Sequence, residues 1–179
     1  MSADAQPPAP GPAAFRAFMA RWATGVAVVT AHGDGRDAGL TVNALLSVSL
    51  RPPTLLVSLT HDADTTPVIE ASGRFGASFL SAGQRALSER FARPIPPEEK
   101  FRDLPVRRGG GGLPLLDGGL GTAECRVVDW RPRHDHVLIE GEVVATTLGD
   151  PGALPLLFFG SQYATPVGER DLRLGPASR

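Results

Sequence analysis

With 179 residues, the chain is long enough for one domain with a sizeable core and too short for two comfortable ones. A net charge of −1 offers no electrostatic hold on nucleic acid or an anionic membrane, and no apolar run approaches the ~18 residues of a membrane helix. The lone Cys125 excludes an internal disulfide and any cysteine-rich zinc site, as suits a reducing cytoplasm.

Residues 1–13 hold four prolines and no apolar segment of the kind a signal peptide carries, and read as a disordered tail. Phe15, Phe18, Met19 and Trp22 then recur at helical spacing, which predicts an amphipathic helix with its aromatic stripe packed into the core. Residues 26–31 form a short strand. The His32-Gly33-Asp34-Gly35 turn folds it back on the next stretch as a hairpin.

That next stretch, residues 39–59, is the most informative in the chain. Leu40, Val42, Ala44, Leu46, Val48 and Leu50 alternate with Thr41, Asn43, Ser47 and Ser49, interrupted only by Leu45. The pattern predicts a strand with one face in a core. The other face carries hydroxyls and an amide but no charge before Arg51. It fits either an ordinary half-solvated strand or the floor of a site for a planar polar ligand, which short neutral groups can bind without desolvating a charge.

Arg51-Pro52-Pro53 makes a bend, since proline cannot donate to a ladder, and residues 54–60 resume as a strand. Asp62 to Pro67 reads as a helix start with Asp64 or Thr65 as N-cap, and the helix stops at Gly73. Residues 75–80 form a strand and 83–92 a helix with Leu87 and Phe91 on one face. Pro94, Pro96 and Pro97 impose an extended loop, and residues 109–112 are a flexible connection too short to separate domains. Residues 120–130 and 136–147 are two long strands joined in a hairpin through residues 131–135. Residues 154–163 close the ordered domain, 14–163, and 164–179 form a tail or a partner-contacting arm. About six or seven strands with two or three short helices, not alternating, predict a mainly β fold. The physical expectation is a small antiparallel barrel or sandwich with helices at its ends.

The chain has no dinucleotide-binding glycine fingerprint, no phosphate loop and no nucleophile elbow. His134 and His136 share a strand face, but no third ligand lies near in sequence, so a metal site is not expected. Cys125, between Ala123 and Val127 on one face, reads as a buried structural thiol. What remains is the neutral strand face and the helix start at Asp64-Thr65, whose free N–H groups suit an anion. Together they could hold a planar heterocycle at one end and a phosphate at the other.

With these residues in view, the chain resembles the flavin reductase-like family from Phe15 to about Tyr163. The carrying segments are Trp22-Ala23-Thr24-Gly25-Val26, Gly39-Leu40-Thr41-Val42-Asn43-Ala44, Ser47-Val48-Ser49-Leu50-Arg51-Pro52-Pro53 and Glu70-Ala71-Ser72-Gly73-Arg74-Phe75. Arg90-Phe91, Lys100-Phe101, Pro114-Leu115-Leu116-Asp117-Gly118, Glu124-Cys125, Asp135-His136 and Gly141-Glu142-Val143 follow in order. The resemblance implies an FMN-binding split barrel, a Greek-key-like antiparallel barrel with short helices. It also implies a homodimer that reduces FMN or FAD with NADH or NADPH and passes free reduced flavin to a partner monooxygenase. By the same resemblance Gly39, Thr41, Asn43 and Ala44 line the isoalloxazine, and Ser58, Leu59 and Thr60 meet the ring and ribityl chain. Thr65 reaches the phosphate, Arg90 and Phe91 contact the phosphate or the rest of the dinucleotide, and Phe159, Gly160, Ser161 and Gln162 serve the nicotinamide nucleotide.

Four positions depart from the family's pattern: Ala63, where a phosphate-contacting serine is usual, Asp64, Ser78, and Phe159, where histidine or tyrosine is common. An acid facing a phosphate repels it unless it caps the helix instead. The resemblance therefore implies an NAD(P)H:flavin oxidoreductase, with a flavin- or ligand-binding barrel that serves a biosynthetic pathway without reductase turnover as the alternative.

Overall fold

The computed structural model describes residues 8–166. A helix, α1 (Pro12–Met19), is followed by β1 (Thr24–Gly25) and by the first hairpin, β2 (Ala27–Gly33) with β3 (Arg36–Val42). Asp34 and Gly35 close that hairpin at φ 51° and 71°, the pair of left-handed residues that matches the twist of the flanking strands. Next come β4 (Leu45–Leu50) and β5 (Pro53–Thr60), joined at the predicted bend.

The second helix, α2 (Thr65–Ser72), starts after Asp64 and stops at Gly73, which takes φ 65° and donates its N–H to the Ile69 carbonyl at 2.8 Å. Only glycine adopts that left-handed cap freely. Then follow β6 (Arg74–Phe79), α3 (Arg85–Ala92), α4 (Pro97–Phe101), β7 (Arg107–Arg108) and β8 (Pro114–Leu115). The long strands β9 (Gly121–Arg133) and β10 (His136–Leu148) and the small hairpin β11 (Leu157–Phe159) with β12 (Gln162–Ala164) complete the described chain.

Seven strands form one antiparallel sheet in the order β3-β2-β6-β9-β10-β5-β4. Its two end strands, β3 and β4, are separated in the chain only by Asn43 and Ala44. Laid flat, seven strands at ~4.8 Å spacing would hold those edges roughly 29 Å apart. The three Cα steps from Val42 to Leu45 reach at most about 11 Å. The sheet must therefore curl into a barrel, and at the crossing the Ser58 N–H donates to the Ala44 carbonyl at 3.0 Å, continuing the β4–β5 ladder by one step.

The barrel is filled by alternate residues of its strands. Val29, Ala31, Val57, Leu59, Phe75, Val137 and Ile139 are all buried there, and Ile69 of α2 joins them. Gly141 faces Phe75 so closely that a Cβ would sit 2.4 Å from the ring edge. A bulge between Glu140 and Gly141 accommodates the approach. A smaller cluster, Val26, Val28, Leu80, Phe91, Leu116 and Leu156, lies under α3 and the β11 segment.

Several expectations change. The aromatic stripe does not enter the core: Phe15, Phe18, Met19 and Trp22 are 44–69% exposed, because α1 stands outside the barrel. The stretch 39–50 is two strands, not one, and the break falls at Asn43-Ala44. The prolines after Ala92 admit a short helix, α4, with Pro97 in its first turn. Residues 109–112 are pinned, since Gly110 N–H donates to Glu124 Oε2 at 2.7 Å and Arg108 Nη1 to the Gly112 carbonyl at 2.9 Å. The long hairpin turns on His134 and Asp135 alone, with the strands running to Arg133 and from His136. Of the two predicted tails, residues 1–7 and 167–179 lie outside the described residues.

Candidate functional site

The pairing of β2 with β3 ends at Ala27 and Val42. Beyond that pair the two chains part. Thr24, Gly25 and Val26 run along one side and Asn43, Ala44 and Leu45 along the other, and all six line a cavity of about 780 Å³. Ser58, Leu56 and Leu138 of the closing strands, Phe79 and Leu80, and Leu156 complete its depth, while Met19 and Trp22 stand at its side. None of its lining residues is charged; its polar side chains are Thr24, Asn43, Ser58 and the Trp22 indole. A cavity of this size, apolar with a few neutral hydrogen-bonding groups, suits a flat heteroaromatic ligand.

Of the residues assigned through the resemblance, the structure brings Asn43, Ala44 and Ser58 to this cavity. Thr41 lines a neighbouring cavity of about 180 Å³ with Phe158 and Tyr163, and Asn43 lies on the wall of both. Thr41 Oγ1 already donates to the Ser88 carbonyl at 2.7 Å. Ser88 Oγ in turn donates to Tyr163 Oη at 2.9 Å, and the Arg85 guanidinium lies 5.5 Å from the Tyr163 ring centre.

Other assigned residues sit elsewhere. Gly39 and Phe91 pack on each other: a Cβ on Gly39 would meet Phe91 Cε1 at 2.8 Å and Phe101 Cζ at 3.2 Å. Phe91 and Phe101 meet edge to face, 5.0 Å apart at 84°. Lys100 is 7% exposed and donates to the carbonyls of Gly39 at 3.2 Å and Phe91 at 3.3 Å. Burial pushes its ammonium below the usual lysine range, opposed by the charge of Asp64. Arg90 donates to the carbonyls of Glu99 and Arg102. Gly39, Arg90, Phe91, Lys100 and Phe101 therefore form one structural staple between β3, α3 and α4, which gives a packing role to Arg90-Phe91, assigned to the ligand by the resemblance, and to Lys100-Phe101, which only carried the resemblance.

Leu59 points into the barrel core at 1% exposure. Thr65 is buried at the first turn of α2, and Asp64 makes no side-chain capping bond. Thr60 is exposed, with its carbonyl accepting from Thr66 Oγ1 at 2.9 Å. Phe159, Gly160, Ser161 and Gln162 form the turn of the β11–β12 hairpin, with Gly160 and Ser161 at φ 60° and 61°. The Gly160 N–H donates to the Ala20 carbonyl at 2.7 Å, so this hairpin is tied to the end of the helix whose Met19 faces the cavity.

The comparisons with known proteins agree with this geometry. A family model described as a flavin reductase like domain matches residues 19–166. The chain belongs to the flavin reductase-like family. It is 39% identical over 137 residues to the FMN reductase (NADH) RutF of Cronobacter turicensis, covering 76% of this chain and 82% of that protein. It is 35% identical over 158 residues to the reductase component of the FADH(2)-dependent resorcinol hydroxylase of a Rhizobium species, covering 86% and 88%. Among solved structures, the NADH:FAD oxidoreductase SgcE6 of Streptomyces globisporus aligns with a TM-score of 0.83 at 30% identity, over 93% of this chain and 100% of that one. The family's split barrel, mainly β with short helices, is the fold described above.

A flavin suits the residues present. The lining is uncharged, its few polar groups are neutral, and one of them, Thr24 Oγ1, is buried without a hydrogen-bond partner. Thr24, Gly25 and Val26 carried part of the resemblance but had received no ligand-binding role from the sequence. The available signal was their place directly after an amphipathic helix whose apolar face the structure leaves outside the core.

Proposed function

We propose that this chain is a flavin reductase that uses NADH or NADPH to reduce FMN or FAD and releases reduced flavin to a partner monooxygenase. The observation that carries the reading is the uncharged cavity at the β2–β3 fork, with Asn43, Ala44 and Ser58 on one side. The flavin supplies the chemistry, accepting a hydride from the reduced nicotinamide. The protein's part is to exclude water with Leu45, Leu56, Phe79 and Leu138 and to hold the rings in order with neutral hydrogen-bonding groups. We keep Thr41 with Asn43 and Ala44 as a residue of the isoalloxazine side, and the Phe159–Gln162 turn, tied to α1, is the segment we place toward the nicotinamide side.

At the α2 end, the exposed Asp64 carboxylate disfavours tight capture of a phosphate, and loose binding suits a protein that gives up its reduced flavin. We further propose that the working unit is a homodimer of the 14–163 domain, located in the cytoplasm. Strand β4 ends the sheet order, and its Leu46, Val48 and Leu50 are 52%, 46% and 85% exposed. An exposed strand without charge in that position needs a cover, and Val128, Val144 and Leu148 are further exposed apolar residues on β9 and β10. Among the described residues, no helix is long and apolar enough to cross a membrane.

The test is loss of the nicotinamide absorbance when purified protein is mixed with NADH or NADPH and FMN, FAD or riboflavin. Oxidation that requires added flavin is the expected result. No oxidation with any combination overturns the reductase reading, and fluorescence quenching of flavin without oxidation selects a binding barrel in its place.

A further inference from the structure

Two hydroxyls among the described residues are buried without a partner, Thr24 Oγ1 and Thr54 Oγ1. Leaving such a group unpaired costs folding free energy that a hydrogen bond would recover. Thr54, on β5, faces none of the cavities described above. Thr24 does: it lines the 780 Å³ cavity from β1, across the fork from Asn43 and Ala44.

Its backbone is held in place. Thr24 pairs with Phe158 of β11, and the neighbouring Val26 N–H donates to the Leu156 carbonyl at 3.2 Å. The residue is only partly buried and lines the cavity, and a hydrogen bond to a ligand there requires a staggered rotamer that turns its hydroxyl from the covered position toward that ligand. Around it the wall is Ala23, Gly25, Val26 and Pro155, none of which offers a side-chain donor or acceptor. Along this run of the wall the side-chain hydrogen-bonding groups are the Thr24 hydroxyl and the Trp22 indole N–H, and of the two only the hydroxyl can accept as well as donate.

We propose that Thr24 is a ligand-binding residue whose hydroxyl hydrogen-bonds the polar edge of the isoalloxazine, on the wall opposite Asn43 and Ser58. The inference rests on the flavin reading given above. It assigns the Thr24-Gly25 segment a second function besides joining α1 to the barrel: Gly25, with no side chain, keeps the wall open beside the hydroxyl.

The experiment compares wild type, Thr24→Val and Thr24→Ser by quenching of FMN and FAD fluorescence and by thermal unfolding of the flavin-free protein. Valine keeps the shape and removes the hydroxyl. It should weaken flavin binding roughly three- to tenfold, the worth of one neutral hydrogen bond. The melting temperature of the flavin-free protein should stay level or rise, because an unpaired buried hydroxyl has been removed. Thr24→Ser, which keeps the hydroxyl, should bind within about twofold of wild type by the same reasoning.

Unchanged flavin affinity in Thr24→Val overturns the proposal, as does an equal loss of affinity in Thr24→Ser. A drop in melting temperature for Thr24→Val also overturns it, since the hydroxyl would then be structural. Wild-type protein that quenches no flavin overturns the flavin reading itself, a result distinct from wild-type binding that valine leaves untouched.

Discussion

Ala27 and Val42 are the last partners of the β2–β3 ladder, and the site begins where their pairing stops. On one side the chain turns back toward α1, and on the other it takes two residues to cross from β3 to β4. The sheet curls because that crossing is so short, and the space between the parted chains becomes the cavity. The interruption of the strand, not its regular part, makes the site.

Asn43 tests this most directly. It is exposed and lies on the wall of both cavities. Asn43→Leu should weaken flavin binding roughly tenfold, by loss of a hydrogen bond and exposure of an unmatched ligand edge. Thermal unfolding should move little, as usual for an exposed position. Fluorescence titration alongside a melting curve reads both, and an equal loss of stability would mark Asn43 as structural.

Gly39 should respond in the opposite way. A side chain there collides with Phe91 and Phe101 in the staple held by Lys100. Gly39→Val should destabilise the fold by about 1–3 kcal/mol through overpacking, measurable as an earlier urea midpoint. A variant with wild-type stability and selectively lost flavin binding would return Gly39 to the ligand site.

Acid sensitivity should be concentrated at Asp37. Burial pushes its carboxyl upward. Hydrogen bonds from Arg108, whose two terminal nitrogens each lie 2.7 Å from a carboxylate oxygen, and from His32 outweigh that and hold it below its ordinary value. The folded state then binds the proton less readily than the unfolded state. The resulting stabilisation is complete above the unfolded carboxyl value near pH ~4 and disappears as pH falls through the lower folded value. Asp37→Asn should therefore lie below wild type in melting temperature at neutral pH, with the gap narrowing below about pH 4. A gap that stays constant down to the lowest accessible pH would contradict the assignment.

The exposed side of β4 should govern assembly. Leu50→Glu places a charge on the most exposed of its three outward apolar residues and should shift the protein from dimer to monomer in sedimentation velocity. The substitution removes no core contact, so secondary structure should be retained. A wild-type protein that sediments as a monomer would sink the dimer proposal.

Cys125 should be inert in the folded protein. Burial, with a smaller effect from the Glu124 charge, pushes its thiol up to about 12, so almost no thiolate exists near neutral pH. Alkylation by iodoacetamide should be negligible in native protein and rapid in denaturant. Prompt native labelling would show that β9 opens far more often than its pairing on both edges implies.

Much was legible in the residues alone, and the reason is local. The stop of α2 at Gly73, the turn at Asp34-Gly35, the long β9–β10 hairpin and the uncharged character of residues 39–50 depend on short-range sterics and on the period of apolar residues, which neighbours in sequence determine. The neutral face that carries Asn43 was legible in that way, whereas Ala44 and Ser58 were assigned to the ligand through the family resemblance. What the chain order could not reveal is which exposed-looking residues meet. The aromatic face of α1 has the same spacing whether it is buried or not, and the structure leaves it outside. Gly39, Arg90 and Phe91 are assigned to the ligand by the resemblance, and nothing in the sequence signals that they also pack together where α3 and α4 close on β3, with Lys100 donating to the carbonyls of Gly39 and Phe91. Thr24 becomes part of the site only when β1 is set across the fork from Asn43. Periodicity specifies which side of a strand or helix is apolar; only tertiary packing decides what that side faces, because the partner comes from a distant part of the chain. The neutral strand face was written in the sequence, but the cavity above it was made by the curl of the sheet.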